Sequence, residues 1–234
     1  MATKLETNKD KFLNFLKYVN RPGKEKLIEM LNRTDFFTAP ASTKYHLAYE
    51  GGLVEHTLNV YDWLIRLIAL NGAAEGAERE AYQESLLEKA RVGADLEPGE
   101  LQVLNDHINS VLKAKVNLEG VVIAALCHDF HKINFYTKFT KRVKTPEGNW
   151  VDQEAWTYRE DHFVLGEDGT NSWYIANSVM PLKFEEIRAI ENHMGSGKNR
   201  MYLAGSSETW AQSRLSILLH MADLEAAFII EVRQ

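Results

Sequence analysis

The sequence is short of cysteine, proline, long apolar runs and basic charge, and each shortage excludes something. Cys127 is the single cysteine in 234 residues, so no disulfide can form within the chain and a thiolate zinc site has no partners. Any metal would have to be held by imidazoles and carboxylates. Five prolines and no low-complexity tract argue against a disordered chain. No stretch approaches the roughly eighteen consecutive apolar residues that cross a bilayer, and the opening MATKLETNKDKFLNF is polar rather than signal-like; a soluble cytoplasmic protein with no membrane partner is expected. The net charge of −6 disfavours a surface that attracts extended nucleic acid, leaving room only for a local basic patch. Lys138, Lys141, Arg142 and Lys144 form such a patch.

Hydrophobic residues make up 45% and charged residues 26% of the chain, enough for one core and one domain over residues 1–234. Residues 9–31 read as one or two amphipathic helices broken at Arg21-Pro22-Gly23. After Gly51-Gly52 a strong helix is predicted over 53–70, with His56, Asn59, Val60, Trp63 and Leu67 on one stripe. Two outer helices are expected within 71–120, broken near Gly93 and Pro98-Gly99, and the acidic residues between Glu75 and Glu100 suit a solvated face. Residues 121–127 are apolar on every side, the mark of a buried helix, and deliver His128 and Asp129 at their end. Aromatic and β-branched residues around Thr145-Pro146-Glu147-Gly148-Asn149 predict a hairpin over 139–165. Helices are expected at 172–179, 184–192 and 209–232, the last with an apolar stripe of Ile217, Leu218, Met221, Leu224 and Phe228 beside His220 and Asp223. The fold class is therefore all-α, a helical bundle with a small β-hairpin appendage.

His128-Asp129 is the chemical centre of this reading. The dipeptide alone is weak, but a carboxylate at the end of a buried helix needs compensation, and a cation provides it. His56 on an earlier inward stripe and Asp223 on a later one supply two more ligands, so four groups from three helices can meet while leaving coordination positions open. Imidazole and carboxylate together suit Mn, Fe, Co, Ni or Zn, with Mg admissible, and a bridging Asp allows one ion or two.

The segments Gly51-Gly52-Leu53-Val54-Glu55-His56-Thr57, Leu126-Cys127-His128-Asp129-Phe130-His131-Lys132 and Leu219-His220-Met221-Ala222-Asp223 resemble, in order, the three motif blocks of HD-domain phosphohydrolases. The resemblance covers roughly residues 45 to 230, with the helices of 9–31 packed on that core. It is similar to small bacterial and phage HD proteins, and the first block also resembles the HD part of a three-prime exoribonuclease group. It implies an HD-type bundle, metal ligation by His56, His128, Asp129 and Asp223, and phosphate contact by Lys132. Extra histidines hold a second metal in similar proteins; here the candidates are His193 and the place of Asp168, where relatives frequently show a His. His46, His131 and His220 are further candidates to support either ion.

Plainer readings stand beside these. A lone buried histidine is usually a hydrogen-bonded core residue, Lys132 can simply favour a helix C-terminus, His193 can cap a helix, and His220 can do no more than orient Asp223. His107 and His162 read as surface residues. Lys138 and Arg142 either line a phosphate-facing rim or protect a strand edge, and Trp150, Trp156 and Tyr158 read as packing. The expected activity is cleavage of a phosphate ester of a nucleotide or deoxynucleotide by metal-activated water, with Asp129, Lys132, His131 and His193 as catalytic groups. The alternatives are a phosphodiesterase acting on a cyclic nucleotide or an RNA or DNA end, a di-iron oxidative enzyme, and a module that senses a nucleotide without cleaving it.

Overall fold

The computed structural model describes residues 3–72, 77–195 and 213–233. Within them the chain forms nine α-helices and one antiparallel hairpin. Helix α1 (Lys4–Phe15) begins at a capping box, the Thr3 hydroxyl accepting from Glu6 N and the Glu6 carboxylate from Thr3 N. Arg21-Pro22-Gly23 then turns the chain into α2 (Lys24–Arg33).

Helix α3 (Gly52–Leu70) is the axis of the molecule, packed by α1, α4 (Ala77–Val92), α6 (Leu118–Cys127) and α9 (Arg214–Glu225). The glycine doublet explains how it starts. Gly51 has a left-handed φ of 83°, and a Cβ on Gly52 would stand 2.0 Å from the Leu47 carbonyl oxygen, so only glycine lets the preceding loop fold onto the helix. Apart from Glu119, α6 is buried along its whole length. It is capped by Asn117, whose side-chain oxygen accepts from Gly120 N.

Helix α5 (Pro98–Leu112) opens on its proline, and α7 (Asp168–Val179) packs on α8 (Phe184–Asn192). Strands β1 (Tyr136–Lys144) and β2 (Trp150–Tyr158) pair from Tyr136↔Tyr158 to Lys144↔Trp150 and contact chiefly each other. The fold is thus mostly helical with a small hairpin. No described helix is long and apolar enough to cross a membrane.

Two features place the chemistry. Phe130, fully buried, packs edge-on to Phe36, which also meets Phe12 and Phe37. This aromatic cluster anchors the 3-10 turn Phe130–Lys132 that follows His128-Asp129. At the opposite ends of α6 and α8, the Arg21 guanidinium grips Glu119 of α6 at 2.8 Å and Glu186 of α8 at 2.7 and 2.8 Å.

Several expectations shift. The hairpin occupies Tyr136–Tyr158 rather than 139–165, and α7 begins at Asp168, four residues early. In the predicted helix over 209–232, residues 209–212 lie outside the described residues. The rest is α9 followed by a π turn (Ala226–Ile230) and a 3-10 turn (Glu231–Arg233). The expected stripe of α9 is also turned: Met221, Leu224 and Phe228 are exposed, while Leu215, Leu218, Leu219, Ala222 and Ala226 are buried. That rotation points Asp223 towards His56 of α3, 3.1 Å away. His107 is buried, not at the surface, and its ring packs where a Cβ on Gly72 would stand.

Candidate metal centre

Helix ends build this site. His128 caps α6 and donates its Nδ1–H to the Ala125 carbonyl at 2.7 Å; His193 caps α8 and does the same to Ile190 at 2.7 Å. Each ring gives a helix-end carbonyl a donor, the Ile190 carbonyl also accepting from His193 N at 3.4 Å, and each ring, when neutral, is thereby fixed as the tautomer whose Nε2 carries a lone pair. Capping a helix end and presenting an Nε2 lone pair are here one arrangement.

The structure brings His56, His128, Asp129 and Asp223 together. His56 Nε2 lies 3.1 Å from Asp223 Oδ1, 3.4 Å from Asp129 Oδ2 and 3.4 Å from His128 Nε2, and His128 Nε2 is 3.6 Å from Asp129 Oδ2. Ligand atoms about 2.0–2.2 Å from one cation stand about 3.0–3.5 Å apart, so the observed separations suit a shared ion. The donor atoms of His56, His128 and Asp223 all lie within 4.8 Å of one another, a group that leaves Asp129 out; His46, His56 and Glu231 form a second such group.

Asp129 is the hub, at 3% exposure. Its Oδ2 accepts from Lys132 Nζ at 2.7 Å, so the lysine expected on a phosphate is paired with this carboxylate. Its Oδ1 faces His131 Nδ1 at 3.5 Å and His193 Nε2 at 3.7 Å. His193 Nε2 is buried with no hydrogen-bond partner, a cost that a bound cation would remove. His131 is held by Ser172, whose hydroxyl accepts from its backbone N–H at 3.0 Å and lies 3.1 Å from Nδ1, and its Nε2 is 3.8 Å from the half-exposed Asp168. His193, His131 and Asp168 therefore line the Oδ1 side, while His46 sits on the other side, its ring 5.0 Å from that of His56.

The remaining candidates fall elsewhere. His220 does not orient Asp223 through its Nδ1, which reaches the His193 carbonyl at 2.5 Å and braces the turn bearing that ring. Lys138 pairs with Glu50 and Glu154, each at 3.6 Å, and Arg142 with Asp152 at 3.7 Å. The register sets Asp152 opposite Arg142, whereas Lys138 stands opposite Trp156 and reaches its acids diagonally and off the hairpin; both cations are engaged. Glu231 went unrecognised in the sequence: it is 3% exposed and puts both carboxylate oxygens 3.1 Å from His56 Nδ1.

Electrostatics follow from burial and these neighbours. Burial pushes His128 and His131 down to about 4, leaving neutral rings suited to ligation. Burial also opposes charge on His56, but Asp223 and Glu231 outweigh it and raise that ring to about 10. Burial works against the Asp129 and Asp223 carboxylates too; Lys132 and the surrounding imidazoles hold Asp129, and His56 chiefly holds Asp223, well below the usual range. The buried Asp129 and the partly buried Asp223 thus face one ammonium and a set of imidazoles, with the buried Glu231 behind His56; His56, His128 and Asp223 among them could hold a metal ion. No protein-family model, curated protein or solved structure matches this chain.

Proposed function

We propose that the protein is a metal-dependent phosphohydrolase that cleaves a phosphate ester of a nucleotide or deoxynucleotide. The observation that carries the reading is the meeting of His56 Nε2, His128 Nε2, Asp129 and Asp223 within 3.1–3.6 Å contacts. The resemblance of the three segments around them to HD-domain phosphohydrolases supplies the substrate class. Those four residues would hold a divalent transition ion, which when bound draws charge from a phosphoryl oxygen and makes a nearby water easier to deprotonate.

The chain's own groups do the rest. Lys132, fixed at 2.7 Å to Asp129, places a permanent positive charge beside the centre, where negative charge on a phosphoryl group grows during attack. His131, neutral by burial, can donate a hydrogen bond to a leaving oxygen from the Nε2 that faces Asp168, without giving up its proton. His193, raised by Asp129 against its burial, sits on the same side as a proton carrier.

The test is a screen of purified protein with Mn, Co, Ni and Mg against nucleoside monophosphates, triphosphates and cyclic nucleotides, following phosphate, pyrophosphate and nucleoside release. Release with a transition metal, stopped by chelator, is expected. Tight nucleotide binding with no product under any metal would replace hydrolysis by a sensing role.

Binding of the ion should depend on pH in a defined direction. Without metal, His56 titrates at about 10, so at neutral pH a proton must leave before its ring can ligate. Affinity should rise as pH rises from about 6.5 to 9, by up to about tenfold per unit, with release of a proton. Calorimetry in buffers of different ionisation heat checks this; a flat affinity with no proton released contradicts it.

A further inference from the structure

The two nitrogens of His56 have different neighbours. Nε2 faces Asp223 and Asp129, whereas Nδ1 lies 3.1 Å from each oxygen of Glu231. Glu231 Oε1 also accepts from Asn59 Nδ2 at 2.9 Å, and Asn59 stands three residues beyond His56 on α3. Glu231 reaches this point because the π turn after α9 and the final 3-10 turn carry the chain back against α3. His46 approaches from the loop before α3, its Nε2 4.0 Å from Glu231 Oε2 and without a hydrogen-bond partner.

His46, His56 and Glu231 have donor atoms close enough together to suggest a cation site of their own. The valence of imidazole argues against His56 serving there. A neutral ring has one lone pair, so a ring that gives Nε2 to a cation carries its proton on Nδ1, and only an imidazolate could ligate through both. A buried carboxylate with two oxygens at 3.1 Å is the natural acceptor for that proton.

We infer that Glu231 is a positioning residue for the metal centre, holding the His56 proton on Nδ1 so that the Nε2 lone pair faces the ion, with Asn59 fixing the carboxylate in that orientation. The inference rests on the metal reading proposed above. For His128 the same task falls to the Ala125 carbonyl. A carboxylate does more than a carbonyl, because its charge makes the ring a stronger donor. The C-terminal turn, outside all three motif segments, thereby completes the centre.

Titrating Zn and Mn into the wild-type protein, Glu231→Gln, Glu231→Ala and Asp129→Ala, with melting of each metal-free protein, tests it. Glu231→Gln keeps the volume and an acceptor but removes the charge. Its affinity should fall about 10- to 100-fold, and that of Glu231→Ala at least as far, with metal-free Glu231→Gln melting within a few degrees of wild type. In the zinc-loaded wild-type protein with 15N-labelled histidine, His56 should show a slowly exchanging proton on Nδ1. Wild-type affinity in Glu231→Gln, or no proton on His56 Nδ1 in the wild-type protein, overturns the role of Glu231. If Asp129→Ala loses metal while Glu231→Gln does not, only the role of Glu231 falls; if the wild-type protein binds no metal, the proposed function falls with it.

Discussion

Arg21→Ala is expected to destabilise the fold by about 3–5 kcal/mol, a large part of the stability of a domain this size. The guanidinium is 8% exposed and donates to both oxygens of Glu186, to Glu119 and to the Pro181 carbonyl. The Glu186 side chain is 1% exposed, so truncating Arg21 leaves a buried carboxylate without its charged partner, held by the Lys183 backbone N–H at 2.7 Å; Glu119 retains Lys183 Nζ at 3.1 Å. The loss comes mainly from that uncompensated charge rather than from the attraction itself. Arg21→Ala with Glu186→Gln should therefore recover part of it.

The sign with pH is fixed by Glu119. Burial opposes its ionisation, yet Arg21, with help from Asn20 N–H and Lys183, depresses it to about 2. A carboxyl whose folded pKa is lowered contributes stability above its unfolded pKa and loses it as pH falls through the folded value. The gap between wild type and Arg21→Ala should narrow as pH drops from about 4.5 towards 2. Denaturant unfolding at pH 7 and at about pH 3 measures this; a variant within about 1 kcal/mol of wild type at pH 7 would mean the clamp is idle. Because Arg21 joins one end of α6 to one end of α8, and His128, Asp129 and His193 stand at the other ends, the same variant should weaken metal binding in whatever fraction stays folded.

The helical class and the hairpin were readable because they are local. A period-3.6 stripe announces α3, an unbroken apolar run announces the buried α6, and Pro146 to Asn149 announce a turn, with Gly148 at a φ of 90°. Helical stripes marked His56 and Asp223 as inward and the apolar α6 delivered His128-Asp129, while the order of the three segments, through the resemblance, joined them into one set. What escaped was contact between distant elements. Glu231 is 175 residues from His56, and nothing around it in the chain marks it as buried. The rotation of α9 escaped because periodicity finds an apolar stripe without saying which stripe packs. His220 was assigned to Asp223 because the two are three apart, yet its Nδ1 meets a carbonyl on another segment. Arg21 read only as part of a turn, and its two carboxylates, near 119 and 186, carry no local sign of a partner.

Asp129→Ala tests the central claim most directly. Asp129 Oδ2 lies 3.4 Å from His56, 3.6 Å from His128 and 2.7 Å from Lys132, while Oδ1 faces His131 and His193; no other carboxylate among the described residues joins these five side chains. Removing it takes away a proposed ligand and releases Lys132, so metal affinity should fall beyond the roughly 100-fold that loss of an outer hydrogen-bond partner causes, and turnover should fall with it. Asp129→Asn keeps the shape without the charge and guards against a variant that merely unfolds. The measurement is metal content by elemental analysis after equilibrium dialysis against Mn, Co, Ni or Zn, beside turnover of the best phosphate ester. The wild-type protein should retain the ion and both folded variants should lose ion and activity together; a folded Asp129→Ala that keeps its metal or its full activity would contradict the account.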